Sequence, residues 1–258
     1  FPTETAETIG YVLEHSGASL LFVGKLDTWA AQKPGVPATL PTISFPLAPK
    51  NNFEQWDAIV ARTKPLTGRV VREGKDIAIL LYTSGSTGTP KGVMHSFERI
   101  TKVSENISKD IKSRIGDIDD NRILSYLPLA HVFERAWVEC ASMVDGKTHV
   151  YFAESLDTFV ADLNRARPTT FISVPRLWLK FQQGVFAKMP PKKLNRLLGI
   201  PILSGIVKRK VLKNLGLDQA LLAGSGSAPI PAELISWYRR LGLNMIEGYA
   251  MSEDFAYS

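Results

Sequence analysis

Short apolar runs alternate with segments of helical pattern along this chain, and that alternation is the feature that most restricts its fold. Ser19–Val23, Asp76–Tyr82 and Thr170–Val174 are short and apolar, as buried strands are. Glu4–Ser16, which precedes the first of these runs, and Phe97–Ile115, which follows the second, have the pattern of helices. Strands that alternate with helices favour an α/β architecture. The sequence therefore predicts layered, largely parallel sheets flanked by helices.

The remaining elements follow from the same pattern and from proline and glycine punctuation. The run Asp76–Tyr82 is continuous and apolar, which predicts a strand buried on both faces. Ser155 is a candidate N-cap for the helix that follows it, with Asp157 in the first turn. Further strands are predicted at 42–45, 122–126, 148–152, 220–223 and 244–246, and further helices at 53–63, 134–144, 156–166, 175–189, 194–215 and 231–241.

Composition excludes several classes of protein. The 258 residues are 45% apolar and 22% charged, as in globular domains and unlike disordered chains. A single cysteine, Cys140, permits no internal disulfide, and its apolar surroundings predict a buried, inert thiol. No run is long enough to span a membrane, and the N-terminal segment lacks the pattern of a signal peptide. We therefore expect a cytoplasmic protein.

Positive charge is concentrated in one part of the chain. The formal net charge is +6, and twelve Lys/Arg with no Asp or Glu fall within residues 163–217. This stretch is either the solvated face of helices or a surface that attracts phosphate-bearing partners, such as the inner face of an anionic membrane. No recognition helix, RNA-binding sheet or zinc-finger pattern accompanies the charge, so we expect no nucleic-acid partner. The sequence leaves the oligomeric state open.

The loop after Asp76–Tyr82 carries the strongest local signal, YTSGSTGTPKG at Tyr82–Gly92. Its three glycines let backbone N–H groups converge on an anion, and its five serines and threonines add hydroxyl donors. Lys91 adds a mobile cation for phosphate oxygens. This pattern predicts a polyphosphate site. It is not a Walker A loop, because Lys91 follows Pro90 and precedes Gly92, and G-x-G-x-x-G is absent as well.

Five segments in the same order resemble the acyl-adenylate-forming superfamily, which includes acyl-CoA synthetases, luciferases and peptide-synthetase adenylation domains. YTSGSTGTPKG resembles the signature phosphate loop of that superfamily. Within it, the set most resembles bacterial long-chain fatty acyl-CoA synthetases. The other four segments are LPLAHVFER at Leu127–Arg135, ISVPRLW at Ile172–Trp178, GSGSAPI at Gly224–Ile230 and EGYAMSE at Glu247–Glu253.

The resemblance implies a role for each matched residue in binding ATP and Mg²⁺. The β- and γ-phosphates would be held by Thr83, Ser84, Gly85, Ser86, Thr87, Gly88 and Lys91. One wall of the adenine site would comprise Gly226, Ser227, Ala228 and Pro229, with Tyr249 stacked on the other face and Glu247 and Gly248 at the purine edge. Ser252, in place of the usual threonine, would contact the α-phosphate, and Glu253 with Thr83 would hold Mg²⁺, a cation that prefers oxygen ligands.

His131 matches the histidine that the family places near the substrate carboxylate. Taken alone, His131 favours an ordinary hydrogen-bonded histidine, and only the surrounding LPLAHVFER segment favours the functional role. For Tyr249 the alternative to stacking on adenine is core packing. Ala250 departs from the family pattern, which has glycine there, and this matters only if the backbone needs a positive φ. Candidates for the acyl tunnel are Phe133, Trp137, Val174, Pro175 and Trp178, although each of them, judged singly, is more consistent with core packing. His15, His95 and His149 are too scattered for a zinc site.

The implied reaction is ATP-dependent conversion of a long-chain fatty acid to acyl-AMP, followed by transfer to coenzyme A. Catalysis would rest on Lys91, His131 and Glu253 and would need charge neutralisation more than an acid–base pair. Two alternatives stay open: adenylation that feeds a carrier protein or reductase, and a non-catalytic module that binds nucleotide or a membrane surface. By this resemblance residues 1–258 form part of the AMP-binding domain, without its N-terminal start or the small C-terminal domain, and such a fragment would be inactive alone.

Overall fold

The computed structural model describes residues 2–83 and 88–258 and divides the chain into two compact units, residues 1–97 and 98–258. The first unit begins with helix α1, for which Thr5 is the N-cap and accepts a hydrogen bond from the amide of Thr8. A parallel sheet of order β1-β2-β3 follows. Up to residue 62, the helices and strands of the first unit are α1 (Ala6–His15), β1 (Leu21–Val23), α2 (Trp29–Gln32), β2 (Thr42–Ser44), β3 (Glu54–Gln55) and α3 (Trp56–Arg62).

The first unit ends in an antiparallel hairpin of β4 (Ile77–Thr83) and β5 (Lys91–Ser96). The sequence correctly predicts β4 as a strand, but its expected burial on both faces is wrong, because within β4 only Leu81 is buried. The prediction also omits β5, whose polar residues give no continuous apolar run. One face of an antiparallel hairpin can be exposed to solvent, and this explains the exposed positions of β4.

The second unit begins within α4 (Phe97–Ile115), whose bounds match the prediction. It contains the parallel strand pair β6-β7 and a parallel sheet of order β10-β9-β8. Its remaining elements are β6 (Asn121–Ser125), α5 (Ala141–Asp145), β7 (Thr148–Phe152), α6 (Phe159–Ala166), β8 (Thr170–Ser173), α7 (Pro175–Lys188), α8 (Pro191–Leu198), α9 (Pro201–Asn214), β9 (Leu222–Ser225), α10 (Ala232–Leu241) and β10 (Met245–Glu247). The predicted α/β class with largely parallel sheets is confirmed.

Three helical predictions need correction. The helix expected at 134–144 is a π-helix over Glu134–Cys140 that continues into α5. The helix expected at 194–215 is two helices, α8 and α9, because Pro201 cannot continue a helix and instead begins one. α6 starts at Phe159, since Ser155 and Thr158 exchange hydrogen bonds in a turn before it, so Asp157 lies outside the first turn of α6.

Aromatic side chains dominate the core of the second unit. Trp178 is fully buried, contacts the rings of Phe171 and Tyr238, and accepts the Tyr238 hydroxyl at its backbone carbonyl. Burial of each such side chain contributes about 1.5–3 kcal/mol to folding. This cluster fixes α7 and α10 against the sheet β10-β9-β8. In the described part of the chain, no helix is long and apolar enough to cross a membrane.

Candidate functional site

A cavity of about 120 Å³ lies within the second unit, at the carboxyl ends of the parallel strands β8, β9 and β10. Ligands of α/β proteins bind characteristically at such an edge. Its walls combine residues from four of the five sequence motifs. They are Tyr126, Leu127, His131, Val132, Phe133, Trp137, Ile172, Ser173, Val174, Gly224, Ser225, Gly226, Ser227, Ile246, Gly248, Tyr249, Ala250 and Ala256.

Strand register brings the motif segments together at this edge. Ser173, Ser225 and Glu247 are register partners on the three strands. The backbone hydrogen bonds of the sheet continue one residue beyond these partners, both between β9 and β8 and between β10 and β9. Gly226 donates its amide to the Ser173 carbonyl at 3.2 Å, and Gly248 donates to the Ser225 carbonyl at 2.9 Å. The GSGSAPI and EGYAMSE segments therefore leave the sheet side by side.

Residues predicted for the adenine wall are only partly in the cavity lining. Gly226 and Ser227 line it, and Ala228 and Pro229, which are exposed, do not. Ser227 has a φ of 67°, in the left-handed region that non-glycine residues rarely adopt. Strained backbone of this kind is frequent at ligand sites. The segment therefore turns sharply at Ser227 as it leaves β9.

Glu247, expected at the purine edge, has a definite structural contact. Its Oε1 accepts a hydrogen bond from the amide of Ile230 at 3.0 Å. This contact joins the end of β10 to the end of the GSGSAPI segment. The carboxylate thus holds the two segments at a fixed separation, and its expected place beside a purine stays a prediction.

Tyr249 lies on the cavity wall with 74% of its surface exposed. Exposure of this size excludes the alternative that Tyr249 is a core residue. A ring held at the cavity edge with one free face can stack on a planar ligand. Ala250 follows it on the wall and is absent from the non-glycine residues of positive φ. Alanine therefore replaces the family's glycine here without backbone strain.

His131 lines the cavity, and its ring is oriented by its own turn. The amide of Phe133 donates to Nδ1 of His131 at 3.3 Å, and burial lowers the pKa of the imidazole. A neutral ring whose Nδ1 accepts a hydrogen bond carries its proton on Nε2. His131 therefore offers an N–H donor for a ligand.

Glu134 is a buried neighbour of the cavity residues that the sequence analysis does not single out. Its fully buried Oε1 accepts hydrogen bonds from the hydroxyl of Ser125 and, at 3.2 Å, from the amide of Tyr126. Burial raises the pKa of the carboxyl group. Glu134 begins the π-helix, so these bonds tie that helix to the end of β6. The LPLAHVFER motif contains the residue, but an isolated glutamate in a sequence gives no sign of burial.

The predicted acyl-tunnel residues divide into two groups. Phe133, Trp137 and Val174 line the cavity, and the rings of Phe133 and Trp137 are stacked 5.8 Å apart. Trp178 does not line it, because its side chain is fully buried in the core and donates Nε1–H to the carbonyl of Gly224. Pro175 also lies outside the lining, at the first turn of α7. The prediction for Trp178 and Pro175 is therefore wrong, since an aromatic or proline in a motif does not reveal which way it points.

Glu253, the predicted magnesium ligand, is exposed on the turn after EGYAMSE. The carboxylate of the next residue, Asp254, is hydrogen-bonded within the turn. Its Oδ1 accepts hydrogen bonds from the amides of Met251 and Tyr257 at 3.1 and 3.2 Å. The backbone carbonyl of Glu253 accepts a hydrogen bond from Arg99 at 2.9 Å. An anchored turn with an exposed carboxylate suits a hard cation such as Mg²⁺.

The phosphate-loop motif lies in the first unit, at the tip of the β4–β5 hairpin. Thr83 pairs with Lys91 across the hairpin, so the two ends of the loop are fixed by strand pairing. Gly88 has a φ of 85°, which glycine adopts without strain. A Cβ at Gly92 would lie 3.3 Å from the ring of Tyr82, so this position favours glycine as well. The predicted phosphate ligands Ser84, Gly85, Ser86 and Thr87 lie outside the described residues.

Two further predictions concern cysteine and metal chemistry. Cys140 is half-buried rather than buried, and burial raises the pKa of its thiol to about 11, so it is protonated at neutral pH. Among residues 2–83 and 88–258 no group of three or more His, Cys, Asp or Glu side chains is arranged to hold a metal ion.

Residues 1–257 match the family described as AMP-binding enzyme. The chain belongs to the AMP-binding enzyme family, and the resemblance of its five motifs to acyl-adenylate-forming enzymes is confirmed.

Similar curated proteins bear the name long-chain-fatty-acid–CoA ligase ACSBG2. The human protein is 28% identical over 98% of this chain and 44% of its own length. The Xenopus laevis protein is 30% identical over 78% of this chain and 30% of its own length. The chain thus matches less than half the length of either relative.

Similar solved structures support the fold. The adenylation domain of a carboxylate reductase from Mycobacterium chelonae superimposes with a TM-score of 0.75 at 20% identity, over 97% of this chain and 42% of that one. The corresponding domain from Segniliparus rugosus, solved with AMP and a co-purified carboxylic acid, gives 0.74 at 21% identity, over 96% and 43%. At this identity the likeness establishes the architecture alone.

Proposed function

We propose that the protein containing this chain activates a long-chain fatty acid with ATP to form acyl-AMP and then transfers the acyl group to coenzyme A. The observation that carries the proposal is the cavity at the ends of β8, β9 and β10, whose walls combine residues of four adenylation motifs. Similarity to proteins named long-chain-fatty-acid–CoA ligases supports the choice of substrate. The two reaction steps and the thiol acceptor are part of the proposal.

The polar residues of the two units have separate tasks in this proposal. Lys91 neutralises phosphate charge, because carboxylate attack on ATP brings two anions together. Tyr249 stacks on adenine, and the Nε2–H of His131 donates to the substrate carboxylate. Ser252 contacts the α-phosphate. The apolar walls at Phe133 and Val174 take the beginning of the acyl chain.

Mg²⁺ fits the acidic turn and would be held by Glu253. The ion would supply positive charge to the phosphates and help orient them. The exposed carboxylate of Glu253 and the occupied carboxylate of Asp254 support this choice between the two neighbours. Coenzyme A enters the proposal as the co-substrate of the second step.

Release of pyrophosphate tests the first step. The complete protein, with any sequence that flanks residues 1–258, is given ATP, Mg²⁺ and palmitate, and we expect pyrophosphate to appear only when palmitate is present. Lys91→Ala should reduce the rate at least about 100-fold, since it removes a charge from the developing transition state. The matched control is Lys75→Ala in the same unit, an exposed lysine paired with Glu73, which should leave the rate unchanged. Equal rates for both variants would refute the phosphate-loop assignment.

Dependence on coenzyme A tests the second step. If coenzyme A converts the bound acyl-adenylate to a thioester, the ligase proposal stands. Pyrophosphate release with no thioester would instead favour adenylation that feeds a carrier protein or reductase. We further propose that residues 1–258 are part of one AMP-binding domain, so this segment expressed alone should release pyrophosphate far more slowly than the complete protein.

A second proposal concerns the basic stretch, which we assign to contact with an anionic lipid surface. In α9, Ile202 and Ile206 are 83% and 62% exposed, and helical spacing places Arg209 and Lys213 on the same face. Apolar residues followed by basic ones along one stripe suit a headgroup layer with acyl chains beneath it. The excess of positive charge within 163–217 provides the complementary charge.

Vesicle sedimentation tests this surface. The protein should sediment with phosphatidylglycerol vesicles and not with phosphatidylcholine vesicles. Arg209→Gln with Lys213→Gln should weaken sedimentation about 10-fold or more, at about 1 kcal/mol per charge. Lys102→Gln with Lys109→Gln in α4 removes two exposed lysines elsewhere and should have little effect. Equal sedimentation of both double variants would leave α9 as an ordinary solvated face.

A further inference from the structure

The hydroxyl of Ser225 is a buried polar group that has no hydrogen-bond partner among the residues described. Ser225 is the last residue of β9, is 1% exposed and lines the cavity. Buried hydroxyl groups are normally hydrogen-bonded, so an exception at a cavity wall needs an explanation. None of the roles assigned above uses this side chain.

Nearby hydroxyl groups in the same cavity wall are paired. Ser173, the register partner of Ser225 on β8, accepts the hydroxyl of Tyr126 at 2.7 Å. Burial raises the pKa of Tyr126 to about 12, so it remains a donor at neutral pH. Among the buried hydroxyl groups of this wall, the unpaired state is therefore particular to Ser225.

The position of Ser225 restricts what can pair with it. Its hydroxyl lies at the carboxyl end of a parallel strand, and most of the nearby wall is apolar, including Ile172 and Val174. Nε2–H of His131 is a further donor offered to this cavity. A carboxylate accepts hydrogen bonds at both of its oxygen atoms, so it suits a cavity in which Ser225 and His131 each offer a donor.

We propose that the hydroxyl of Ser225 donates a hydrogen bond to the carboxylate of the acyl substrate, and that this bond supplies the missing partner. The inference rests on the proposed function, because it takes a fatty acid as the occupant of the cavity. Ser225 is then a binding residue that distinguishes a carboxylate from an uncharged chain of equal length. It acts on the acid substrate, and nucleotide affinity does not depend on it.

Binding measurements without ATP test Ser225 separately from catalysis. Dissociation constants for palmitate and for hexadecan-1-ol are measured on the complete protein and its Ser225→Ala variant. Loss of a hydrogen bond to a charged group should weaken palmitate about 10-fold or more. The alcohol keeps the chain without the charge, so its affinity should change much less. Ser225→Thr retains the hydroxyl and should recover part of the affinity for palmitate.

Thermal stability distinguishes a binding role from a structural one. Removing an unpaired hydroxyl leaves no partner unsatisfied, so the Tm of unliganded Ser225→Ala should equal or exceed that of the wild type. The matched control is Ser173→Ala, which removes the partner of Tyr126 and should lower Tm.

Equal weakening of palmitate and hexadecan-1-ol, or a lower Tm with an unchanged ratio of affinities, would overturn the proposal for Ser225. A higher KM for ATP with unchanged palmitate affinity would also overturn it, by assigning Ser225 to the nucleotide. A wild type that binds palmitate but releases no pyrophosphate would refute the proposed function alone. Failure of the wild type to bind palmitate would refute both.

Discussion

Trp178 donates its indole N–H to the backbone carbonyl of Gly224 at 3.0 Å, inside the core of the second unit. Gly224 is in β9 and is the first residue of that segment to line the cavity, and a Cβ added there would lie 3.0 Å from Ile172 of β8. The hydrogen bond joins α7 to the strand that forms the cavity floor. Trp178 therefore stabilises the strand that lines the cavity without lining the cavity itself.

Trp178→Phe should lower the free energy of unfolding by about 2 kcal/mol or more, because it leaves the Gly224 carbonyl unpaired and creates a void. Urea unfolding measures the change. Trp237→Phe is the control: Trp237 is also buried, but within the described chain its indole N–H has no hydrogen-bond partner. If the two variants lose equal stability, the hydrogen bond makes no measurable contribution.

Gly216→Ala should destabilise the protein more than Gly242→Ala. Both glycines have positive φ, 73° and 104°, so each substitution strains the backbone by about 1 kcal/mol. Only at Gly216 would the added Cβ also lie 2.8 Å from backbone atoms of Leu163 and Asn164. We expect at least twice the loss of unfolding free energy for Gly216→Ala in urea titrations. A larger loss at Gly242 would contradict the packing described for α6.

Glu134→Gln should stabilise the protein at neutral pH. Burial raises the pKa of Glu134 in the folded state, so the folded protein binds this proton more tightly than the unfolded chain does. The contribution of Glu134 to stability is therefore complete below the unfolded pKa of about 4.3 and is lost as pH rises through the folded pKa. Glutamine keeps an acceptor for Ser125 and Tyr126 without the charge. The measurement is unfolding free energy from pH 4 to 8, and a constant difference between variant and wild type across this range would contradict the prediction.

His131→Gln should flatten the acid side of the stability profile. Burial lowers the pKa of His131 in the folded state, so its contribution is present above the unfolded pKa of about 6.5 and is lost as pH falls through the folded pKa. Glutamine cannot take up this proton.

His131→Gln also keeps an N–H donor, whereas His131→Phe has none. Pyrophosphate release with palmitate should therefore fall at least about 10-fold further in His131→Phe than in His131→Gln. Equal rates in the two variants would argue against a donor role.

The sequence predicts helix α4 and the order of the motifs well because both depend on local patterns. The bounds of α4 follow from its helical spacing, and the four motifs of the second unit do meet at one cavity. Side-chain direction depends on tertiary packing, and there the sequence is insufficient. It assigns Trp178 to the acyl tunnel and omits Ser225, although the two lie on neighbouring elements. The sequence does not predict strand β5, because one face of a hairpin needs no apolar residues.

The turn after EGYAMSE separates two adjacent acidic residues by task, since Asp254 binds the amides of its own turn and Glu253 stays exposed. Substitution of Asp254 and substitution of Glu253 should therefore have different effects on the protein. Loss of Asp254 would loosen the geometry of the whole segment, whereas loss of Glu253 would leave the segment intact and change only the charge it presents. Mutational surveys that score acidic residues by proximity alone would confuse a scaffold defect with a chemical one here.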